Sequence, residues 1–524
     1  MTLIAAGVGF AVRGNILGDW SAAYGFTQYE LGNITGGGLI GFGIIIILAS
    51  LITDLVGYRT ILILAGLAHV LSLVITVAAS QAFESGGKES AYECLYWGMF
   101  VFAIANGLCE AAINPLTADL YPNQKTHYLN ILHAGWPGGL VIGGLINKLF
   151  LGDSPWITDL GWELALGLFL IPTVFYLLIA LKEPFPQSEA VKSGVSYSQM
   201  LASLASPILL FLFLLHACVG YVELGTDSWI QKITNAILEG QGPILFVWAS
   251  LLMFGLRFFA GPIIEKINPI GLLFVSAVIG TVGLAMIGYA EGTVVIWLAV
   301  TIYAIGKTFY WPTMLGVVGE RFPQGGAVTM GMLGGIGMLS AGYLGAPAIG
   351  YKQDYFASQQ LEQTAPETYE RFKAGSPSNF PVPGIFPEVN GLDGGRVGVL
   401  MDSKGPGVTL ADTVAKLPDN EDLQELDAWW KTAKDHQETD IKPVTEADIF
   451  GGRQALIYTA AVPAFMAIGY LLLAGYFQVS GGYTVEQLGS DSEATPALPD
   501  ETSDGAEASP LPDQSDRDSF GDET

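Results

Sequence analysis

The side chains best able to do chemistry in this chain lie inside apolar runs. Glu110 and Asn114 sit four residues apart in one run, and Glu223 and Asp227 four apart in another. That spacing puts each pair on one face of a helix. Arg13 falls near the middle of the first run and Lys307 near the middle of the tenth. Ionisable groups are costly in hydrocarbon and by default mark function there. One acid, Glu110, and two bases at similar depth could pair, then exchange partners with a proton or a solute. That would be a switch between two packings of the chain. The plainer alternative is a fixed structural pair between Glu110 and either base. His133 follows Asn130 on a stretch with Pro137-Gly138-Gly139 and suits a cavity wall, whereas His69 reads as a packing histidine. Arg257 reads as structural, holding a loop near Glu265.

Other chemistries find no support. Gly-rich stretches lie inside apolar runs and lack the Lys-Ser/Thr ending of a phosphate loop. No Ser-His-Asp or His-Glu-x-x-His arrangement is visible, so no enzyme activity and no cofactor is expected. Cys94, Cys109 and Cys218 are odd in number and scattered, which suggests small buried hydrophobes and neither a disulfide framework nor a metal site.

The elements that must position these residues follow from composition. Of 524 residues, 51% are hydrophobic and 14% charged, where a soluble chain carries about 25%. About a dozen apolar runs are ~20 residues long, enough to cross ~30 Å of hydrocarbon. This excludes a soluble enzyme, a nucleic-acid binder and a disordered protein. It leaves an all-α polytopic membrane protein. Twelve spans are expected at 3–24, 31–53, 60–80, 94–120, 129–150, 161–181, 206–230, 243–264, 270–290, 293–316, 328–349 and 454–477. They divide into an N-terminal six-helix bundle, 1–181, a cytoplasmic linker, 182–205, and a C-terminal bundle, 206–349 with 453–477. A segment at 350–452 interrupts the last two spans, and 478–524 forms a tail.

The net charge of −26 sits mostly in two appendages. Residues 350–452 carry 18 acids and nine bases, and 478–524 carry twelve and one. Acidic appendages argue against nucleic acid and anionic lipid as partners. The tail is expected to be disordered and cytoplasmic. Segment 350–452 contains two helical patterns, 359–373 and 420–435, around a Pro/Gly stretch at 381–384. It is an extracytoplasmic insertion on the orientation below. Lys and Arg favour the loops after even-numbered spans (Arg59, Lys125, Lys182, Lys192, Lys266, Arg321), which places both termini in the cytoplasm. The first span starts almost at Met1 without a basic n-region or cleavage site, so no cleavable signal is expected.

Spans 1, 4, 7 and 10 carry most of the buried charge. Pro115 and Pro312 hold corresponding places in the two halves, each five residues after a charge, Glu110 or Lys307. Two related six-helix halves are the repeat pattern of a rocking secondary transporter.

The twelve spans, the six-plus-six division and Asp54-x-x-Gly57-x-Arg59 after span 2 resemble the major facilitator superfamily. The loop signature is partial: Ser50 or Ala49 stands at the usual leading glycine, and Leu55 at the basic residue after the aspartate. Gly107-x-x-Glu110-x-x-x-Asn114-Pro115, then Leu129-Asn130 and His133, resemble the fucose–glucose–galactose:proton symporter family. Gly220-x-x-Glu223 with Trp229, and Pro312, fit the same group. The resemblance covers 1–349 and 453–477.

The resemblance implies that Glu110 is a protonatable span-4 glutamate and Asn114 a substrate-binding asparagine. His133 stands where the family has a binding glutamine. Gly14, beside Arg13, stands where the family has an aspartate, a departure from its two-carboxylate coupling. The expected function is proton-coupled alternating-access transport of a small polar solute, a sugar or sugar acid, by a monomer in the cell membrane. Arg13, Asn114, His133, Glu223, Asp227, Trp229 and Lys307 would contact the solute, Trp229 as an aromatic wall. Asp54, Gly57, Arg59, Arg257 and Glu265 would form the gating loops. Efflux antiport of amphipathic compounds, and a transporter-like sensor that does not transport, are the alternatives.

Overall fold

The chain is described here from a computed structural model covering 1–488, except Gly25, Thr27, 152–154, 376, 378–385, 403–409 and 417–420. Most of the acidic tail and the Pro/Gly stretch at 381–384 lie outside the described residues. Each of the twelve expected spans falls on helix. An apolar segment in hydrocarbon must satisfy its backbone internally, and helices do so. Nine helices among the described residues are long and apolar enough to cross a membrane. Tyr58–Leu120 takes in two expected spans and breaks at Gly87, where φ is +72°. Gly242–Arg257 is a shorter apolar helix. The first span is Thr2–Asn15 followed by Leu17–Tyr24.

Two boundaries differ from expectation. Span 8 ends at Arg257, and Glu265 lies in the next helix, Ala260–Tyr289, before its break at Asn268. Spans 11 and 12 run well past their apolar runs, as Ala346–Thr364 and Gln437–Thr459. A helix need not stop where hydrophobicity stops if its extension finds a core of its own. Here Leu361, Phe372, Leu400, Val444 and Ala447 form one. Arg371 and Thr368 bond the buried Asp440 beside it, and Trp429 meets Phe372 edge-on at 5.3 Å. The described residues of 350–452 thus form a small helical cap on extended spans 11 and 12, at the end of the bundle away from Asp54.

Spans 7 and 11 each contain a π-helical turn, Tyr221–Gly225 and Ala341–Gly345. They pack against each other through glycine. A Cβ on Gly225 would sit 2.7 Å from Gly345 Cα, and one on Gly220 would overlap the Gly337 carbonyl. Single π turns often occur at functional sites, and Glu223 is inside the first of these.

Candidate functional site

Six of the ionisable or polar residues singled out in the sequence are buried together: Glu110, Asn114, His133, Glu223, Arg257 and Lys307 are each at most 4% exposed. On span 4, Asn114 Nδ2 donates to Glu110 Oε2 at 2.5 Å, the face-sharing expected of a four-residue spacing. The Asn114 oxygen pairs with His133 Nε2 of span 5 at 2.9 Å. Because the asparagine oxygen only accepts, this bond places a proton on Nε2. His133 Nε2 is also 4.0 Å from Glu110. No Lys or Arg is within ion-pair distance of Glu110 among the described residues.

The charges of the last six spans are arranged differently. Arg257 pairs with Glu223 at 3.1 Å, and Lys307 pairs with Asp227. This corrects two expectations. Arg257 is 1% exposed and does not hold a loop at Glu265, which is exposed and separate. Lys307 goes to Asp227 and not to Glu110.

The place of Arg257 has a local cause. Proline at position i lacks an N–H and leaves the carbonyl of residue i−4 without its helical donor. Pro137 does this to His133, and Pro312 does it to Thr308. Arg257 takes both carbonyls, His133 O at 2.6 Å and Thr308 O at 2.8 Å, while its remaining nitrogen holds Glu223. One guanidinium thus joins spans 5, 7 and 10 from span 8. The signal was present in the sequence: two in-span prolines and one arginine inside an apolar helix.

Arg13 is buried but stands apart from this group. It donates to Ser72 Oγ at 2.8 Å and to Gly9 O, and stacks 3.9 Å over Phe102. It meets no carboxylate within ion-pair distance among the described residues, so neither base pairs with Glu110. Trp229 uses its indole N–H to bond Ala346 O at 2.8 Å, tying span 7 to span 11. His69 is held by Tyr176 and Asn106.

At the Asp54 end the bundle is clamped shut. Gly57, at φ +84°, makes the one-residue turn between spans 2 and 3. Asp54 accepts from the Ala327 N–H at 2.9 Å, near the first turn of the span-11 helix, where free amides favour a carboxylate. Arg59 donates to Ala180 and Leu181 carbonyls at the end of span 6. Across the interface, Glu320 takes both the N–H and hydroxyl of Thr126, and Lys125 reaches Gly319 O. The chain after span 12 then straps this clamp: Tyr483 donates to Glu320 at 2.7 Å, and Arg321 holds Thr484 and Glu486. Glu320, Thr126 and the strap carried no sequence signal, since surface-type residues at span ends look alike until packed. A cavity of about 550 Å³ lies beside Asp54, between the turn and Pro184, Phe185 and Pro186. No group of His, Cys, Asp and Glu suited to a metal ion occurs among the described residues.

No curated protein sequence matches this chain. Its structure is similar to that of FucP from E. coli in the outward conformation, with 20% identity over 68% of this chain and 91% of that one, at a TM-score of 0.53. A bacterial homologue of the human lysosomal transporter Spinster, inward-facing and unoccupied, covers more: 92% of this chain and 96% of that one, at 16% identity and a TM-score of 0.58. The xylose transporter XylE from E. coli aligns at 14% identity over 66% and 89%, at a TM-score of 0.51. Identities this low speak for the fold alone. The sequence match is decisive for membership: the family model of the major facilitator superfamily fits residues 1–346, and the chain belongs to that superfamily of membrane transporters.

Proposed function

We propose that this chain is a proton-coupled secondary transporter of a small polar solute, with Glu110 as the proton carrier. One observation carries the reading. Of the three carboxylates in the buried cluster, Glu223 and Asp227 each have a base, whereas the partners of Glu110 among the described residues are an amide and a histidine. A buried carboxylate with no fixed counter-charge can gain or lose a proton without breaking an ion pair. Water or solute reaching it would release that proton, and the freed charge would then act on the Arg257 knot that joins the two sets of spans. Asn114 and His133 beside it are suited to hydroxyl groups. Arg257 and Lys307, the two cations of this cluster, are already committed to carboxylates, which favours a neutral solute, a sugar, over a sugar acid. The Lys/Arg bias supports a cytoplasmic placement of the Asp54 end and of both termini, and a cap on the outer face.

The test is transport in proteoliposomes. Glu110→Gln should abolish accumulation driven by a pH gradient while leaving counterflow exchange of the same labelled neutral sugar. Full accumulation by Glu110→Gln would show that the proton travels elsewhere.

A further inference from the structure

His216 is a buried histidine of a different kind from His69 and His133. It lies on Pro207–Gly220, seven residues before Glu223, and is fully buried. Neither ring nitrogen has a hydrogen-bond partner among the described residues. An unmade bond on a sealed polar atom is destabilising. A phenylalanine would fill the space without that cost.

Packing accounts for the shape of this ring and not for its nitrogens. The ring centroid is 4.6 Å from that of Trp311. Gly337 backs both rings so closely that a Cβ there would sit 2.8 Å from each. Nearby polar atoms are in the same condition. Among the described residues Glu223 Oε2, on the same span, lacks a hydrogen-bond partner, as does Asn130 Oδ1 of span 5. Asn130 Nδ2 bonds Thr313, two residues beyond Trp311. Unpartnered acceptors and an imidazole therefore gather on an aromatic wall where spans 5, 7 and 10 meet. That composition, an aromatic surface with a few convergent polar groups, is that of a small-molecule site.

We propose that His216 is a ligand-contacting residue of the transport path. A neutral imidazole has one donor and one acceptor nitrogen, which matches a hydroxyl group, itself both donor and acceptor. When spans 5 and 7 part, His216 takes a hydroxyl of a neutral solute, with Trp311 against the solute's apolar face. The proposal rests on the transporter reading above, but its first test needs no solute.

Full-length protein in proteoliposomes is treated with diethylpyrocarbonate and each histidine is read by mass spectrometry. His69 is equally buried, has both nitrogens bonded, and serves as the reference. His216 should be modified more than about tenfold faster than His69, because opening of the path brings it to water. Equal protection of the two overturns the proposal.

The second test uses variants. His216→Phe should melt at the wild-type temperature or higher, and should lose the melting shift that neutral monosaccharides give the wild type. His216→Gln, which restores a donor and an acceptor, should recover part of that shift. A lower melting temperature for both variants marks the histidine as structural, and an undiminished shift in His216→Phe removes it from the site; either result overturns the proposal. If no monosaccharide shifts the wild type, the sugar reading fails, and the labelling ratio alone decides on His216.

Discussion

The mid-span charges of the first six spans and of the last six spans are arranged in opposite ways. In the last six, Glu223 and Asp227 each meet a base, and Arg257 satisfies every nitrogen on a carboxylate or a carbonyl freed by proline. In the first six, among the described residues, Glu110 has no base and Arg13 has no carboxylate within ion-pair distance. Charge compensation makes one set rigid and expensive to alter. Its absence leaves the other free to change protonation without breaking an ion pair. A transporter that moves a proton needs both: one site that titrates, and one fixed network against which that change can act.

The comparison is broken or sharpened most strongly at Arg257. Arg257→Leu strands Glu223 and two carbonyls, and should cost about 3–5 kcal/mol in unfolding measurements in detergent. Adding Glu223→Leu should return much of that loss, since an apolar pair can replace a buried ion pair. A single variant as stable as wild type would show that the network is not structural.

The next contrast sets like changes in the two regions side by side. Glu223→Gln removes the charge facing Arg257, and Glu110→Gln removes none that is paired. The first should be less stable than the second by about 1–3 kcal/mol. Equal losses would mean that Glu110 is compensated after all.

The strap offers a smaller effect away from both clusters. Tyr483→Phe deletes one bond to Glu320, worth about 0.5–1.5 kcal/mol. It should raise the reactivity of a cysteine placed at Thr126 without changing solute binding. Unchanged reactivity would separate the strap from the clamp.

Arg13→Met should have the smallest effect. It removes a buried charge that has no counter-charge, so stability should stay within about 1 kcal/mol of wild type or rise. A loss as large as that of Arg257→Leu would erase the distinction between the two regions.

Much of this was legible along the chain. Apolar run length is sufficient to place every span on helix, because hydrocarbon permits little else. The pairing of Glu110 with Asn114 follows from helical spacing alone, a local relation needing no neighbour. The superfamily followed from the twelve spans, their six-plus-six division and Asp54-x-x-Gly57-x-Arg59. Partner choice did not follow. Depth alone suggested that Glu110 would meet Arg13 or Lys307, yet depth says nothing of which way a side chain turns around its helix. Arg257 was read as a loop anchor because its nearest acid in sequence is Glu265. Its actual partners are 34, 51 and 124 residues away.

His216, Glu320 and the 483–488 strap show the same limit. Each is an unremarkable residue or segment whose role comes from what packs against it. The apolar pattern by itself determined roughly where the membrane-length helices lie, since burial in hydrocarbon is decided residue by residue along the chain. Only the tertiary structure decided which charges are compensated and which are left to titrate, since an ion pair depends on the rotation and packing of helices far apart in sequence.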